Sequence, residues 1–268
     1  MTLSHTRLGQ GPPLVLIHGI GSHWQVWSPI LDEVSRHRDV IALDLPGFGD
    51  SPPWTDPRPG GPEPGSVAHL ADQVAEFLEG LGVRTPEVAG SSLGGGVALE
   101  LGRRGLARAV TAFAPVGFWS GPGRRWCQAV VGGARVLSTA LAPALPRLFA
   151  TRAGRVALCG IFYGHPSRLS PEDCLGSARA LSHAPGFAAA RHAFGVWRLP
   201  VGADPGALIG IPVTVAWGTR DLVLPHHRQA ARAREELPAA RHVLLPGCGH
   251  LPFADDPARC AELLTVRQ

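Results

Sequence analysis

The chain has 268 residues, 45% of them apolar and 17% charged, which supplies enough apolar side chain for a packed core and excludes global disorder. No stretch of about eighteen apolar residues runs without a charge, so no membrane-spanning helix or membrane insertion is expected. The formal net charge is +4, every one of the 25 basic residues is Arg, and no basic run is interleaved with aromatics, so no nucleic-acid partner is expected.

Taken in chain order, the apolar run 14–17 ends at His18-Gly19 and the run 40–43 ends at Asp44. Six prolines and three glycines between 52 and 65 predict an exposed loop. Val67, Leu70, Ala71, Val74, Phe77 and Leu78 then recur at helical spacing, with Ser66 placed as N-cap. Val88 and Ala89 lead into Gly90-Ser91-Ser92, and 93–104 reads as a helix despite Gly94, Gly95 and Gly96. Those glycines weaken helix propensity, so they point to a tight approach by another element. The run 109–114 is a fourth strand. From 118 to 198 no strand is expected, and three helices are. One spans 124–141, one starts behind Ser170 with Pro171 at its first position, and one follows Pro185 carrying Phe187, Phe194 and Trp197. Strands at 213–217 and 242–245 and helices at 229–237 and 257–264 complete the chain.

Short apolar runs that hand over to loops at their C-terminal ends are the mark of buried parallel strands. Their alternation with helices predicts an α/β fold with a mostly parallel central sheet flanked by helices. The core then covers 1–117 and 199–268, and 118–198 is a helical insertion.

Gly90-Ser91-Ser92-Leu93-Gly94 is a G-x-S-x-G centred on Ser92. By itself it is a weak signal, but here a strand precedes it and a small-residue helix follows. A sharp turn between the two lifts the Ser92 hydroxyl clear of the backbone. A serine hydroxyl needs a base. His250, within Gly247-Cys248-Gly249-His250-Leu251-Pro252, follows the last strand. The base needs an orienting acid, and Asp221 follows the preceding strand. All three stand at the same predicted sheet edge, in the order Ser, Asp, His. Acyl transfer also needs N–H donors for an oxyanion. The backbone N–H groups of Leu93 and of Ile20, in His18-Gly19-Ile20-Gly21, are the candidates. Ser91 lacks flanking glycines in its own frame and is a neighbour of the nucleophile.

With these pieces in place, the sequence resembles the α/β-hydrolase fold family. The resemblance rests on His18 to Gly21 with Trp24, on Asp44-Leu45-Pro46-Gly47-Phe48-Gly49-Asp50-Ser51, on Gly90 to Gly95, and on the stretches 217–225 and 247–257. It implies Ser92 as nucleophile, His250 as base, Asp221 as acid, and an oxyanion hole from the Ile20 and Leu93 N–H groups. It implies structural roles for His18 and Asp44, and a cap formed by the insertion. Haloalkane dehalogenases and epoxide hydrolases use an aspartate nucleophile, and Ser92 at that position disfavours both. Some relatives carry the acid after the preceding strand; 114–118 holds none, which supports Asp221.

The insertion carries ten Arg against two acids, Glu172 and Asp173. Such a surface suits an anionic substrate or an acyl-carrier protein. Trp24, Phe118, Trp119, Val223 and Leu251 are the expected lining of an apolar acyl site between cap and sheet. The reading is a serine hydrolase of a small-molecule carboxylic ester. The alternatives are a carbon–carbon hydrolase of the meta-cleavage-product type, a thioesterase or acyltransferase on a carrier-bound acyl group, and a non-enzymatic ligand-binding member. No His or Cys spacing fits a metal site, and no cofactor is expected. Five cysteines without a CxxC pair, and no apolar leader in Met1 to Gln10, predict free thiols and a cytoplasmic setting.

Overall fold

The computed structural model describes residues 2–54, 60–194, 197–199 and 204–266. Among the described residues seven strands form one sheet: β1 (His5–Leu8), β2 (Pro13–Ile17), β3 (Asp39–Leu43), β4 (Glu87–Ser91), β5 (Ala109–Phe113), β6 (Val213–Gly218) and β7 (Arg241–Leu245). Their spatial order is β1-β3-β2-β4-β5-β6-β7. Every pairing is parallel except that of β1 with β3. β1 is the strand that sequence patterning did not find. It has four residues, His-Thr-Arg-Leu, with no apolar run, and its pairing with β3 at the sheet edge is what makes it a strand.

Strands β2 to β6 bury both faces, and successive side chains feed two separate cores. Leu14, Leu16, Val40, Ala42, Ala89 and Phe113 face one, with Trp27, α1 (Ser28–Ser35) and α10 (Pro257–Thr265) packed on them. Val15, Ile17, Ile41, Leu43, Val88 and Val110 face the other. That side is covered by α2 (Val67–Gly80), α3 (Leu93–Arg103) and α9 (His226–Glu236). Ser66 caps α2 by accepting from the His69 N–H, and Val67, Leu70, Val74 and Phe77 are buried along it. Each large apolar side chain so buried contributes about 1.5–3 kcal/mol. α9 starts at His226, three residues before the predicted start. Residues 55–59 of the Pro- and Gly-rich stretch lie outside the described residues.

Between β5 and β6 the chain forms α4 (Gly121–Ala140), α5 (Leu145–Ala150), α6 (Arg152–Cys159), α7 (Pro171–His183) and α8 (Phe187–Ala193). α4 starts three residues before its expected start at 124, α7 follows Ser170 as expected, and Ser170 caps α7 through the Asp173 N–H. α5 and α6 are additional. They are short, and Thr151 separates them as the C-cap of one and the N-cap of the next. The helix after Pro185 stops at Ala193, so Phe194 is its C-cap and Trp197 lies beyond it.

These helices sit over the C-terminal ends of the strands. Leu181 and Phe187 pack at Gly21, and the Gly186 N–H donates to the Gly47 carbonyl at 2.9 Å. The Leu251 N–H donates to the Phe162 carbonyl at 2.9 Å, and the Trp126 indole N–H to the Leu222 carbonyl at 2.8 Å.

Candidate active site

Ser92 stands alone between β4 and α3, with φ 55° and ψ −113°. A non-glycine residue in that region costs about 1–3 kcal/mol, and the surroundings must hold it there. Its N–H donates to the Phe113 carbonyl at 2.9 Å, and its carbonyl accepts from Gly96 and Val116. The flanking glycines are steric necessities. A Cβ on Gly90 would lie 2.0 Å from the Gly94 carbonyl oxygen, and one on Gly94 would lie 2.2 Å from the Ile17 carbonyl oxygen. The start of α3 is thus pressed against the end of β2.

Asp221 and His250 come from the loops after β6 and β7. The His250 Nδ1–H donates to Asp221 Oδ2 at 2.8 Å. A carboxylate accepts, which assigns the proton to Nδ1 and leaves Nε2 as the basic nitrogen. Asp221 is itself fixed: Oδ1 accepts from the Val223 and Leu224 N–H groups at 2.9 and 2.8 Å, and Oδ2 from the Trp217 indole at 3.2 Å. Ser92, Asp221 and His250 are all buried.

Asp255 is a positioning residue that motif reading did not single out. Its carboxylate accepts from the Gly249 N–H at 2.8 Å and from the Gly164 and His165 N–H groups, both at 2.7 Å. It ties the His250 loop to the segment between α6 and α7. Three backbone amides on one acid leave no mark in the local sequence.

The loop after β2 lies beside Ser92. A Cβ on Gly19 would be 3.1 Å from Ser92 Cβ and 3.7 Å from its Oγ. His18 shapes this loop: its Nε2 accepts from the Leu45 N–H at 2.9 Å, and its Nδ1–H donates to the Gly19 carbonyl at 2.7 Å. Complete burial pushes His18 down to about 4, against the opposing pull of Asp44, so the ring is neutral. Asp44 accepts from the Trp24 and Asp50 N–H groups at 2.6 and 3.0 Å. Leu93 is the first residue of α3, so its N–H has no acceptor within the helix. Ile20 follows Gly19 directly.

A cavity of about 120 Å³ opens above this loop. Ile20, Gly21 and Leu251 line its base, and Val131, Leu145, Phe149, Cys159, Cys174 and Leu181 of the inserted helices line its walls. Leu251 is where the sequence reading expects substrate. Trp24, Phe118, Trp119 and Val223 do not border this cavity. Trp24 lies against the core on the α1 side, Val223 and Trp119 are buried in the opposite core, and buried Phe118 borders a different cleft beside Pro225. The walls come from the face of α4 marked by Val131, Ala134 and Leu137, and from α5, α6 and α7.

A family model described as "Alpha/beta hydrolase family" matches residues 14–263. The chain is 34% identical over 214 residues to epoxide hydrolase EphH of Mycobacterium tuberculosis (strain ATCC 25618 / H37Rv), covering 75% of this chain and 94% of that one. It is 28% identical over 278 residues to a pimeloyl-acyl-carrier-protein methyl ester esterase of Aeromonas salmonicida (strain A449), covering 98% of each. Among solved structures, a thermophilic esterase from Thermogutta terrifontis superposes with a TM-score of 0.73 at 22% identity, covering 98% of this chain and 91% of that one. With its mostly parallel sheet, its serine at the strand-to-helix turn and a family match over nearly the whole length, the chain is a hydrolytic enzyme belonging to the alpha/beta hydrolase family.

Proposed function

We propose that this enzyme is a serine esterase, cleaving a carboxylic ester through Ser92, His250 and Asp221 under a cap formed by 118–198. The Asp221–His250 hydrogen bond, at the same sheet edge as the strained Ser92, is the observation that carries this reading. His250 Nε2 takes the Ser92 proton as Oγ attacks the ester carbonyl. The tetrahedral oxyanion lies on the Ile20 and Leu93 N–H groups. His250 then protonates the leaving alcohol, and water resolves the acyl-enzyme by the same route. Asp221 holds the imidazole in its productive tautomer and stabilises the imidazolium.

The cavity sizes the acyl group. It is comparable with an engineered apolar cavity of about 150 Å³ that binds benzene, so an acyl chain of about six carbons suits it. The esterase names among its relatives support the ester bond. Similarity to a protein named an epoxide hydrolase raises epoxide opening as the competing activity. The residue at the elbow here is Ser92, and a serine–histidine pair is suited to acyl transfer rather than to alkylating a carboxylate. The Arg-rich cap favours an anionic substrate, including an acyl group on an acidic carrier. The five free cysteines fit a reducing, cytoplasmic setting.

The test is a series of p-nitrophenyl esters with increasing acyl length, with styrene oxide alongside. Ester turnover peaking near six acyl carbons, a fluorophosphonate adduct on Ser92, and loss of both in a folded Ser92→Ala are the expected results. Epoxide opening that survives Ser92→Ala overturns the reading.

A further inference from the structure

One wall of the cavity carries two thiols that ester hydrolysis does not use. Cys159 is the last residue of α6 and Cys174 lies in the first turn of α7; both line the cavity. Their sulfurs are 3.6 Å apart, with Cys159 donating to Cys174. We propose that Cys159 and Cys174 form a peroxide-oxidisable dithiol whose disulfide cross-links α6 to α7 across the wall of the acyl cavity.

The two sulfurs are unequal. The hydrogen bond from Cys159 holds Cys174 below the ordinary thiol range, and the same bond raises Cys159. Arg155, about one turn before Cys159 in α6, pulls both toward the thiolate. Half-buried Tyr163 also lines this wall, and Asp173 opposes ionisation of Cys174. The first turn of a helix favours a thiolate at Cys174. The other three cysteines are different. Burial pushes Cys127 and Cys248 up to about 12, and Cys260 up as well.

The chemistry balances with hydrogen peroxide as oxidant. The Cys174 thiolate attacks one peroxide oxygen, the O–O bond breaks, and the departing hydroxide takes up a proton, giving a sulfenic acid and water. Cys159 sulfur then attacks the sulfenic sulfur, its proton and the hydroxyl leave as a second water, and the disulfide forms. Two electrons pass from the two sulfurs to peroxide. Bonding requires the sulfurs to close from 3.6 Å to about 2.05 Å, which pulls the end of α6 onto the start of α7. A longer acyl chain needs those walls to part. Its hydrolysis falls relative to that of acetyl esters, a consequence that rests on the esterase reading.

The experiment treats the reduced, desalted full chain with hydrogen peroxide. Denatured thiol titration should fall from five to three, and peptide mass spectrometry should show one Cys159–Cys174 cross-link that dithiothreitol reverses. In Cys159→Ser, peroxide should leave a dimedone-reactive sulfenic acid on Cys174. Five persisting thiols, a different cross-linked pair, or direct passage of Cys174 to sulfinic acid in the wild type overturns the proposal. On the same samples, the ratio of octanoyl to acetyl ester kcat/KM should fall several-fold on oxidation and recover on reduction. A disulfide that leaves this ratio unchanged overturns its link to the acyl site. A reduced enzyme inactive on every ester overturns the esterase reading instead, and the thiol titration still judges the dithiol.

Discussion

Asp221 receives every hydrogen bond its two oxygens can use in the loop after β6, and one of these comes from His250 Nδ1. Asp221→Asn keeps the shape but offers an amide N–H where the ring also carries one, so it favours the wrong tautomer. Ester kcat should drop by about 10⁴, the magnitude for the equivalent change in a serine protease, with little change in KM; a loss under tenfold would count against Asp221 as the acid. His18 gives the second prediction at this scale. Its ring is neutral when folded, pushed down to about 4 by burial, against about 6.5 in the unfolded chain. Above pH ~6.5 neither state binds the proton and the stability is complete. As pH falls from ~6.5 toward ~4 the unfolded chain protonates first, and about 3 kcal/mol is lost. The urea midpoint of the wild type should therefore fall between pH 7 and 4.5 more steeply than that of His18→Gln, and equal slopes would refute the account. The separate sequence signals for Ser92, Asp221 and His250 were legible because each sits in a Gly-rich or turn-rich loop after a strand. Asp255 was not, because its role is to accept backbone amides from segments far apart in the chain.

At the level of elements, the strand-to-helix turn depends on how closely α3 meets β2. Leu93 to Gly102 is buried throughout, and Gly94 has the Ile17 and His18 carbonyl oxygens where a side chain would begin. Gly94→Ala must push α3 away from the sheet, moving the Leu93 N–H and Ser92 with it. The expected cost is about 1–3 kcal/mol, seen as a Tm lower by several degrees, with a larger proportional loss of ester turnover. A variant with wild-type Tm and rate would show that α3 does not bear on β2. The same close packing explains what the sequence revealed about elements. Three consecutive glycines in an otherwise apolar helix signalled a tight approach, and two-sided apolar runs signalled buried parallel strands. β1 and the short helices α5 and α6 carry no such signature. β1 owes its conformation to β3, while α5 and α6 owe theirs to the small cluster of Leu145, Phe149, Cys159, Leu169, Cys174 and Ala178. Tertiary partners define these three elements, and a local pattern does not contain its partners.

Over the whole molecule, charge is distributed unevenly. The segment 118–198 holds ten Arg and two acids, while the chain as a whole is only +4. Several of these cations are not spent on carboxylates: Arg135 donates to the Leu181 and Ala184 carbonyls, Arg155 to that of Phe149, and Arg191 to that of Gln128. Arg125, Arg147, Arg152, Arg168 and Arg179 are exposed. The helices that wall the cavity thus also present a positive outer surface, and a substrate reaching the cavity passes through its field. Such a field raises the encounter rate of anions and is screened by salt, with a Debye length of about 30 Å at 0.01 M and about 10 Å at 0.1 M. For an ester bearing a free carboxylate at the far end of its acyl chain, kcat/KM should fall several-fold between those ionic strengths. The neutral ester of equal length should change little, which removes any general effect of salt on the fold or on His250. Arg147→Glu combined with Arg152→Glu should flatten the salt dependence for the anionic ester and leave the neutral one as it was. If both esters respond alike to salt, the arginines serve as a solvated surface and the preference for anionic substrates is wrong.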